Sequence, residues 1–191
     1  MRKSVKFLAI LVVLLAFATA GVSAAEQTES AENGHILTVG VSPWAWLYYH
    51  SDESGADAKK STYGLGGKLA YTYLFNSGFY LGAEAAYETY FIDHRDNFHD
   101  IMFFADGGYN YAFCEGFGLY AGLGAGLGLE CYDGECSAVG LVKADLGLGY
   151  SITEHFIIGA GCDFILGFPK KSGTNYVGFQ ILPSITASYK F

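Results

Sequence analysis

From residue 35 to the carboxyl end, apolar and polar positions alternate with a period of two, and this pattern predicts β-strands. Clusters of Gly, Asn, Ser and Asp interrupt the alternation and are typical of turns. Eight strand segments result, covering residues 35–49, 61–75, 79–92, 101–113, 117–131, 137–152, 156–168 and 176–191. We therefore predict an all-β fold, a closed antiparallel eight-stranded up-and-down transmembrane β-barrel.

The two faces of the predicted strands differ in chemistry, and this difference favours a membrane over water. In the fifth segment, bulky residues such as Leu119, Leu123 and Leu127 alternate with glycines. Bulky apolar residues suit contact with lipid, whereas small residues suit the interior of a narrow barrel. Aromatic residues near the segment ends predict girdles at the two membrane interfaces; they include Tyr48, Tyr49, Tyr73, Phe75, Phe79, Tyr90, Phe91, Tyr111, Phe113 and Tyr150.

Two segments carry special expectations. In the first, the outward face is predicted to hold Leu37, Val39, Val41, Ala45 and Leu47. If Leu47 faces lipid, this alternation places the side chains of Trp44 and Trp46 inside the barrel. The alternation of the fifth segment places Tyr120 inside as well, and these large side chains favour a plugged lumen. In the last segment, Pro183 removes one backbone donor, so a bulge or weakened pairing is expected there.

Residues 1–24 are predicted to be a cleaved secretory signal peptide. They have a basic start, an apolar run over 7–18 and small residues ending at Ala24. An uncleaved anchor helix is the alternative, although this apolar run is short for a bilayer. A flexible leader is expected over 25–34 and the barrel domain over 35–191. An exported chain that crosses a membrane with strands is expected in the bacterial outer membrane.

The connections predict the orientation of the barrel. Those near 76, 115 and 154 are short, whereas those at 51–60, 93–100, 131–136 and 169–175 are longer on average and more polar. Short turns of outer-membrane barrels face the periplasm and long loops face outward. We expect four outer loops and both chain ends on the periplasmic side.

Charged residues on the small-residue face are predicted to form a network inside the lumen, because buried charges must be paired or hydrated. Two lysines would bridge several carboxylates there. The set is Lys68, Glu84, Glu88, Asp106, Glu130, Lys143, Asp145 and Asp163. Such a network either stabilises the barrel or lines a path for water and protons, and the narrow bore of eight strands favours the first.

These features resemble the small eight-stranded outer-membrane barrels of the OmpA transmembrane-domain and OmpX type. The resemblance covers the whole predicted mature chain and includes the end of the last strand, residues 185–191, where apolar residues alternate up to Tyr189 and Phe191. It implies that Tyr189 and Phe191 belong to a signal read by the barrel-assembly machinery. We expect no cell-wall-binding domain after Phe191.

The four cysteines would meet an oxidising compartment after export. Cys131 and Cys136 bracket a turn-like tetrapeptide, which predicts a local disulfide. A metal site at this pair would lack further ligands nearby. Cys114 and Cys162 are interpreted as unpaired small apolar residues.

No catalytic residue, cofactor or metal site is predicted. Gly122–Gly128 repeats with period two and lacks nucleotide-loop spacing. The polar segment 93–100 holds two His, three Asp and Arg95, which suits a solvated loop or, alternatively, a divalent cation or lipopolysaccharide phosphates. The lysine pairs at 59–60 and 170–171 could likewise meet lipopolysaccharide or water.

The function expected from these features is a structural or surface-interaction barrel in the outer membrane. A narrow channel for small solutes or ions is the alternative, followed by a rim enzyme acting on envelope lipid or peptide. Outer-membrane lipids and lipopolysaccharide are the expected partners, with an extracellular partner not identified. Nucleic acid is not expected as a partner, because the net charge is −8 and the chain is predicted to be exported.

Overall fold

The computed structural model describes residues 33–51, 60–91, 97–132, 134–171 and 174–191. These residues form eight strands. In chain order they are β1 (Gly34–Ser51), β2 (Lys60–Leu74), β3 (Phe79–Phe91), β4 (Phe98–Cys114), β5 (Phe117–Tyr132), β6 (Glu135–Ser151), β7 (Phe156–Lys171) and β8 (Thr174–Lys190). The predicted all-β fold class is confirmed. The predicted signal peptide and most of the predicted leader lie outside the described residues.

The eight strands close into a barrel in which every neighbouring pair is antiparallel. β1 pairs with β2 on one side and with β8 on the other, so that Leu37 lies opposite both Tyr71 and Tyr189. A closed sheet leaves no edge with unpaired backbone groups, which is the condition for crossing lipid with strands. No helix of the described residues is long and apolar enough to cross a membrane.

The two ends of the barrel differ in their connections. Residues 75–78, 115–116 and 152–155 join strands at one end, here called the turn end, and both chain termini of the barrel lie there. The opposite end is called the loop end. Of its connections, residues 52–59 and 92–97 separate strands, but β5–β6 and β7–β8 are joined by two residues each, 133–134 and 172–173. The long loops expected at 131–136 and 169–175 are therefore mostly strand, because their polar residues continue the β ladders.

The outer surface is a continuous apolar band to which every strand contributes. On β5 the band runs from Phe117 to Leu129, which at about 3.3 Å per residue and a tilt of about 40° corresponds to roughly 30 Å along the barrel axis. Aromatic pairs border it at the turn end, for example Phe117 with Tyr150 and Tyr189 with Phe191. Its height and borders match those of barrels that face lipid.

The outward face predicted for β1 is wrong beyond Val41. The pairing of β1 shifts by one residue between Ser42 and Ala45, as seen from β2, and in the same region as seen from β8. This bulge inverts the alternation, so Ala45 and Leu47 point into the lumen and Leu47 is only 1% exposed. Trp44, predicted inside, is 58% exposed on the outer face. Trp46, also predicted inside, lies between the inward residues Ala45 and Leu47, so it too faces outward, where it packs near Tyr48.

The bulge also accounts for the position of Pro183. This residue pairs with Cys162 of β7, and it lies in the stretch of β8 that faces the irregular part of β1. The irregularity that Pro183 predicts is thus found between β8 and β1, where a missing backbone donor is least costly.

Glycines on the inner face provide room for large side chains that cross the lumen. A Cβ at Gly122 would collide with the Tyr80 hydroxyl, and a Cβ at Gly147 or Gly161 would collide with the Tyr120 hydroxyl. The period-two glycine pattern therefore supplies the space into which two tyrosines extend from β3 and β5. Packing in a narrow barrel requires this pairing of small and large inward residues.

Candidate functional site

The centre of the lumen holds a network of ion pairs between two lysines and three carboxylates. The Lys68 ammonium lies 2.5 Å from Asp163 Oδ2 and 3.4 Å from Glu84 Oε2. The Lys143 ammonium lies 3.2 Å from Glu84 Oε1 and 2.8 Å from Asp106 Oδ2. Glu84 thus joins both lysines, and the network ties together β2, β3, β4, β6 and β7 across the barrel.

These charges are taken almost completely out of water. Lys143 is 1% exposed and Asp163 is 2% exposed. Ions buried to this degree are tolerated only when oppositely charged partners offset the loss of hydration. The Lys143 ammonium also lies 5.1 Å from the centre of the Phe104 ring, which adds a cation–π contact.

Asp145 lies beside this network but forms no ion pair in the described part of the chain. The Tyr80 hydroxyl donates a hydrogen bond to Asp145 Oδ2 over 3.0 Å. The other carboxylate oxygen, Oδ1, has no hydrogen-bond partner among the described residues, and the same is true of Asp163 Oδ1. Two buried carboxylate oxygens in the middle of the barrel therefore lack a hydrogen-bond donor from the described part of the chain.

The loop-end half of the lumen is filled. An apolar cluster occupies it, formed by Ala45, Leu47, Ala86, Tyr90, Phe98, Met102, Phe104, Val139, Leu141, Ile165 and Leu182. A chain of hydrogen bonds crosses the cluster: the Tyr90 hydroxyl donates to Gln180 Oε1 (3.2 Å), and Gln180 Nε2 donates to Asp100 Oδ2 (2.7 Å). We call these residues together the plug. Tyr90, predicted for a girdle, is 0% exposed inside it, because it shares the inward parity of Glu84 and Glu88.

Two other predicted lumen residues lie in this half. Glu88 is buried, and a Cβ at Gly66 would collide with its carboxylate, so an inward glycine again makes the space. Glu130 lies opposite Asp100 on the neighbouring strand, close to the loop end. Neither forms an ion pair with Lys68 or Lys143, so the structure divides the predicted set into a central network and a loop-end group.

The turn-end half of the lumen is open. A cavity of about 290 Å³ extends from the ion-pair network to the turn end. The network and Asp145 form its floor, and Ile36, Leu74 and Ile157 contribute to its apolar walls. Cys114 and Ser151, both exposed, lie at its rim. The lumen is therefore a blind pocket, closed by the plug and open at one end.

The polar segment 93–100 does not form the single loop cluster that its composition suggested. Residues 93–96 lie outside the described residues, and Phe98, His99 and Asp100 belong to β4. Since neighbouring strand residues face opposite sides, His99 lies outside, with its Nδ1 2.8 Å from the Tyr87 hydroxyl, whereas Asp100 lies in the plug. These two residues cannot share a cation or a phosphate. Lys59 and the side chains of Lys60, Lys170 and Lys171 lie outside what the structure describes.

The cysteines separate into a bonded pair and two free thiols. A disulfide joins Cys131 and Cys136, which face each other across the β5–β6 hairpin. Cys114 and Cys162 are free, the second of them on the outer side of β7. Among the described residues, no group of three His, Cys, Asp or Glu side chains is arranged to hold a metal ion.

The chain end closes the barrel at the turn end. The Phe191 backbone N–H donates to the His35 carbonyl (2.9 Å), and the exposed Tyr189 ring stacks against His155. The aromatic side chains of the predicted assembly signal thus lie on the outer surface at this end.

Several interior residues do not belong to the predicted lumen set, above all Tyr80, Gln180 and Met102. A signal for Tyr80 was present, since it precedes Glu84 by four residues and so shares its face of β3. The same signal was present for Met102, which precedes Asp106 by four residues on β4, although its apolar side chain does not by itself distinguish it from a lipid-facing residue.

Solved structures with the same architecture come from bacterial outer membranes. Neisserial surface protein A aligns with a TM-score of 0.64 at 15% identity, covering 82% of this chain and 97% of that protein. The outer membrane protein OprG of Pseudomonas aeruginosa aligns with a TM-score of 0.53, also at 15% identity, covering 86% of this chain and 99% of OprG. The fold is that of a small outer-membrane β-barrel.

The resemblance to eight-stranded outer-membrane barrels that the sequence suggests is thereby confirmed at the level of the fold. No protein-family model matches the chain, and no curated protein matches it in sequence.

Proposed function

We propose that this protein is a bacterial outer-membrane barrel that conducts neither solutes nor ions and has a structural or surface-interaction role. The observation that carries the proposal is the plug. Tyr90, Met102 and Asp100 are each 0% exposed in the loop-end half of the lumen. A solute entering from the turn end would meet the ion-pair network and then close-packed side chains.

The outer surface supports the location. A continuous apolar band bordered by aromatic pairs is stable only against lipid, because in water it would promote association. With the turn end toward the periplasm, the segments that face the exterior are the loop-end connections, of which 52–59 and 92–97 are the longest. Outer-membrane lipids and lipopolysaccharide are the proposed partners of the band, and the barrel-assembly machinery is the proposed reader of Tyr189 and Phe191.

The filled lumen argues against the first alternative function, a narrow channel for small solutes or ions. Conduction through this barrel would require displacement of the Tyr90–Gln180–Asp100 hydrogen bonds and of the apolar residues around them. Each buried polar group left without a partner costs about 1–3 kcal/mol, so an open state would be rare. We do not propose a catalytic activity, since no observation favours a particular reaction.

Single-channel recording of the refolded protein in a planar bilayer tests the proposal. After heat-modifiable migration on a gel has established folding, the protein is expected to give no discrete current steps. A variant with the plug thinned by Tyr90→Ala and Met102→Ala serves as the matched comparison, with Leu127→Ala on the lipid face as its control. Reproducible openings of the unmodified protein would refute the closed lumen, whereas openings confined to the thinned variant would support the plug as the barrier.

A further inference from the structure

The blind pocket at the turn end has a floor with more negative than positive groups. Lys68 and Lys143 face four carboxylates there, those of Glu84, Asp106, Asp145 and Asp163. The ion pairs described above engage both lysines with Glu84, Asp106 and Asp163, and they leave Asp145 without a cation among the described residues. With all six groups ionised, the floor carries an excess of two negative charges.

The unpartnered oxygens of this floor point to a ligand. Asp145 is 7% exposed and lines the pocket, yet its Oδ1 has no donor in the described part of the chain. Asp163 Oδ1, in a side chain that is more deeply buried, is in the same position. Buried carboxylate oxygens normally accept hydrogen bonds, so an ammonium group that reached Asp145 from the pocket would supply both the missing donor and a positive charge.

The side chains that line the pocket wall favour an organic cation over a metal ion. Between the floor and the turn end, the hydroxyls of Thr38, Thr72 and Ser188 and the apolar side chains of Ile36, Leu74 and Ile157 line the pocket. The described chain has no group of three His, Cys, Asp or Glu side chains arranged to hold a metal ion, and the apolar side chains of the wall offer no ligand to one. They do suit the methylene groups of an aliphatic chain, whose burial is favourable in proportion to its area.

The size and access of the pocket limit the ligand further. At about 30 Å³ for each water-sized group, 290 Å³ accommodates about ten non-hydrogen atoms. The plug closes the loop end, so entry is from the turn end, past Cys114 and Ser151. This last step rests on the closed lumen of the proposed function; the binding chemistry does not.

We propose that the turn-end pocket binds a small aliphatic ammonium ion, with the ammonium at Asp145 and Asp163 and the hydrocarbon part against the apolar wall. Asp145 is the principal binding residue, because Asp163 is shared with Lys68. Gly118, Gly149 and Gly159 leave the space that the ligand occupies, since larger residues at these inward positions would fill it.

Titration of the labelled, refolded protein in bilayer nanodiscs with butylammonium chloride, followed by amide NMR, tests this proposal. Saturable shifts are expected at Asp145, Gly122 and Gly147 around the floor and not at Leu127 on the lipid face. Butanol, which has the same length without the charge, should give no saturable shift at these amides. Potassium chloride at equal concentration should not displace the ammonium.

Asp145→Asn is the decisive variant, because the amide can still accept the Tyr80 hydrogen bond while the charge is lost. It should weaken butylammonium binding by about tenfold or more, the usual effect of removing a charged hydrogen-bond partner. Glu115→Gln, which removes an exposed charge from the same end of the barrel, should change the affinity less than about twofold.

Three results would overturn the proposal: no saturable shift up to millimolar butylammonium, equal binding of butanol, or unchanged affinity in Asp145→Asn. Each can occur whether or not the bilayer recordings show a closed lumen, so this test fails independently of the conductance test.

Discussion

Lys143 provides the most direct test of how the interior stabilises this barrel. Replacement of Lys143 by Met keeps the length of the side chain and its contact with Phe104 but removes the charge that lies between Glu84 and Asp106. Glu84 keeps Lys68 as a partner, whereas Asp106 loses the cation to which it is bonded. The variant therefore leaves one buried carboxylate without compensation.

The size of the effect follows from the geometry. At an effective dielectric constant of about 20, each contact near 3 Å corresponds to an attraction of about 5 kcal/mol, and this attraction is largely offset by the lost hydration of the three ions. Removing one partner loses the attraction but leaves the other charges buried. We expect Lys143→Met to lower the free energy of unfolding by about 3–5 kcal/mol, which is a large share of a typical total of about 5–15 kcal/mol.

A second substitution separates this explanation from simple loss of packing. Adding Asp106→Asn to Lys143→Met removes the stranded charge and should recover about 2 kcal/mol, although Asp106→Asn alone is destabilising. Lys190→Met, at the end of β8 and away from the network, should change stability by less than about 0.5 kcal/mol. Asp106→Asn is thus expected to destabilise the unmodified protein but to stabilise the Lys143→Met variant, and such a reversal of sign is specific to a charge pair.

Urea unfolding of the protein in lipid vesicles measures these differences. Trp44 lies exposed on the outer face, so its fluorescence reports departure from lipid, and heat-modifiable migration gives an independent measure of the folded fraction. A Lys143→Met variant within about 1 kcal/mol of the unmodified protein would refute the reasoning. So would a double variant less stable than Lys143→Met itself, since that outcome would mean that Asp106 needs no cation.

Two further predictions concern the glycine pattern and the orientation. Gly122→Ala should destabilise the barrel by about 1–3 kcal/mol in the same unfolding assay, because the new Cβ displaces Tyr80 from Asp145. Gly140→Ala, where an added Cβ meets no described residue within 4 Å beyond its chain neighbours, should be close to neutral, and equal effects of the two substitutions would contradict the position of Tyr80. An epitope inserted in residues 52–59 should be detected on intact cells, whereas one inserted at Asn76–Ser77 should require permeabilised outer membranes. Detection in the opposite pattern would show that the barrel has the opposite orientation in the membrane.

The period-two alternation of this sequence was sufficient to predict eight strands and, for most of them, the face that each residue occupies. On β5, the bulky and glycine positions lie as predicted, because a strand with two chemically distinct faces has only one parity that buries its small residues. The lumen position of Lys68, Lys143 and their carboxylates follows from the same parity. Each of these inferences depends on residues within a single strand.

The tertiary structure decided what depends on several strands at once. The bulge at Ser42–Ala45 reverses the alternation of β1, and Leu47 and Trp44 are both apolar enough for either face, so hydrophobicity alone did not reveal it. The partners of Lys143, the hydrogen bonds of Tyr90 through Gln180 to Asp100, and the pocket below them depend on the register that brings distant strands to the same height. Register is set by pairing along the whole barrel, and no local pattern in the sequence encodes it.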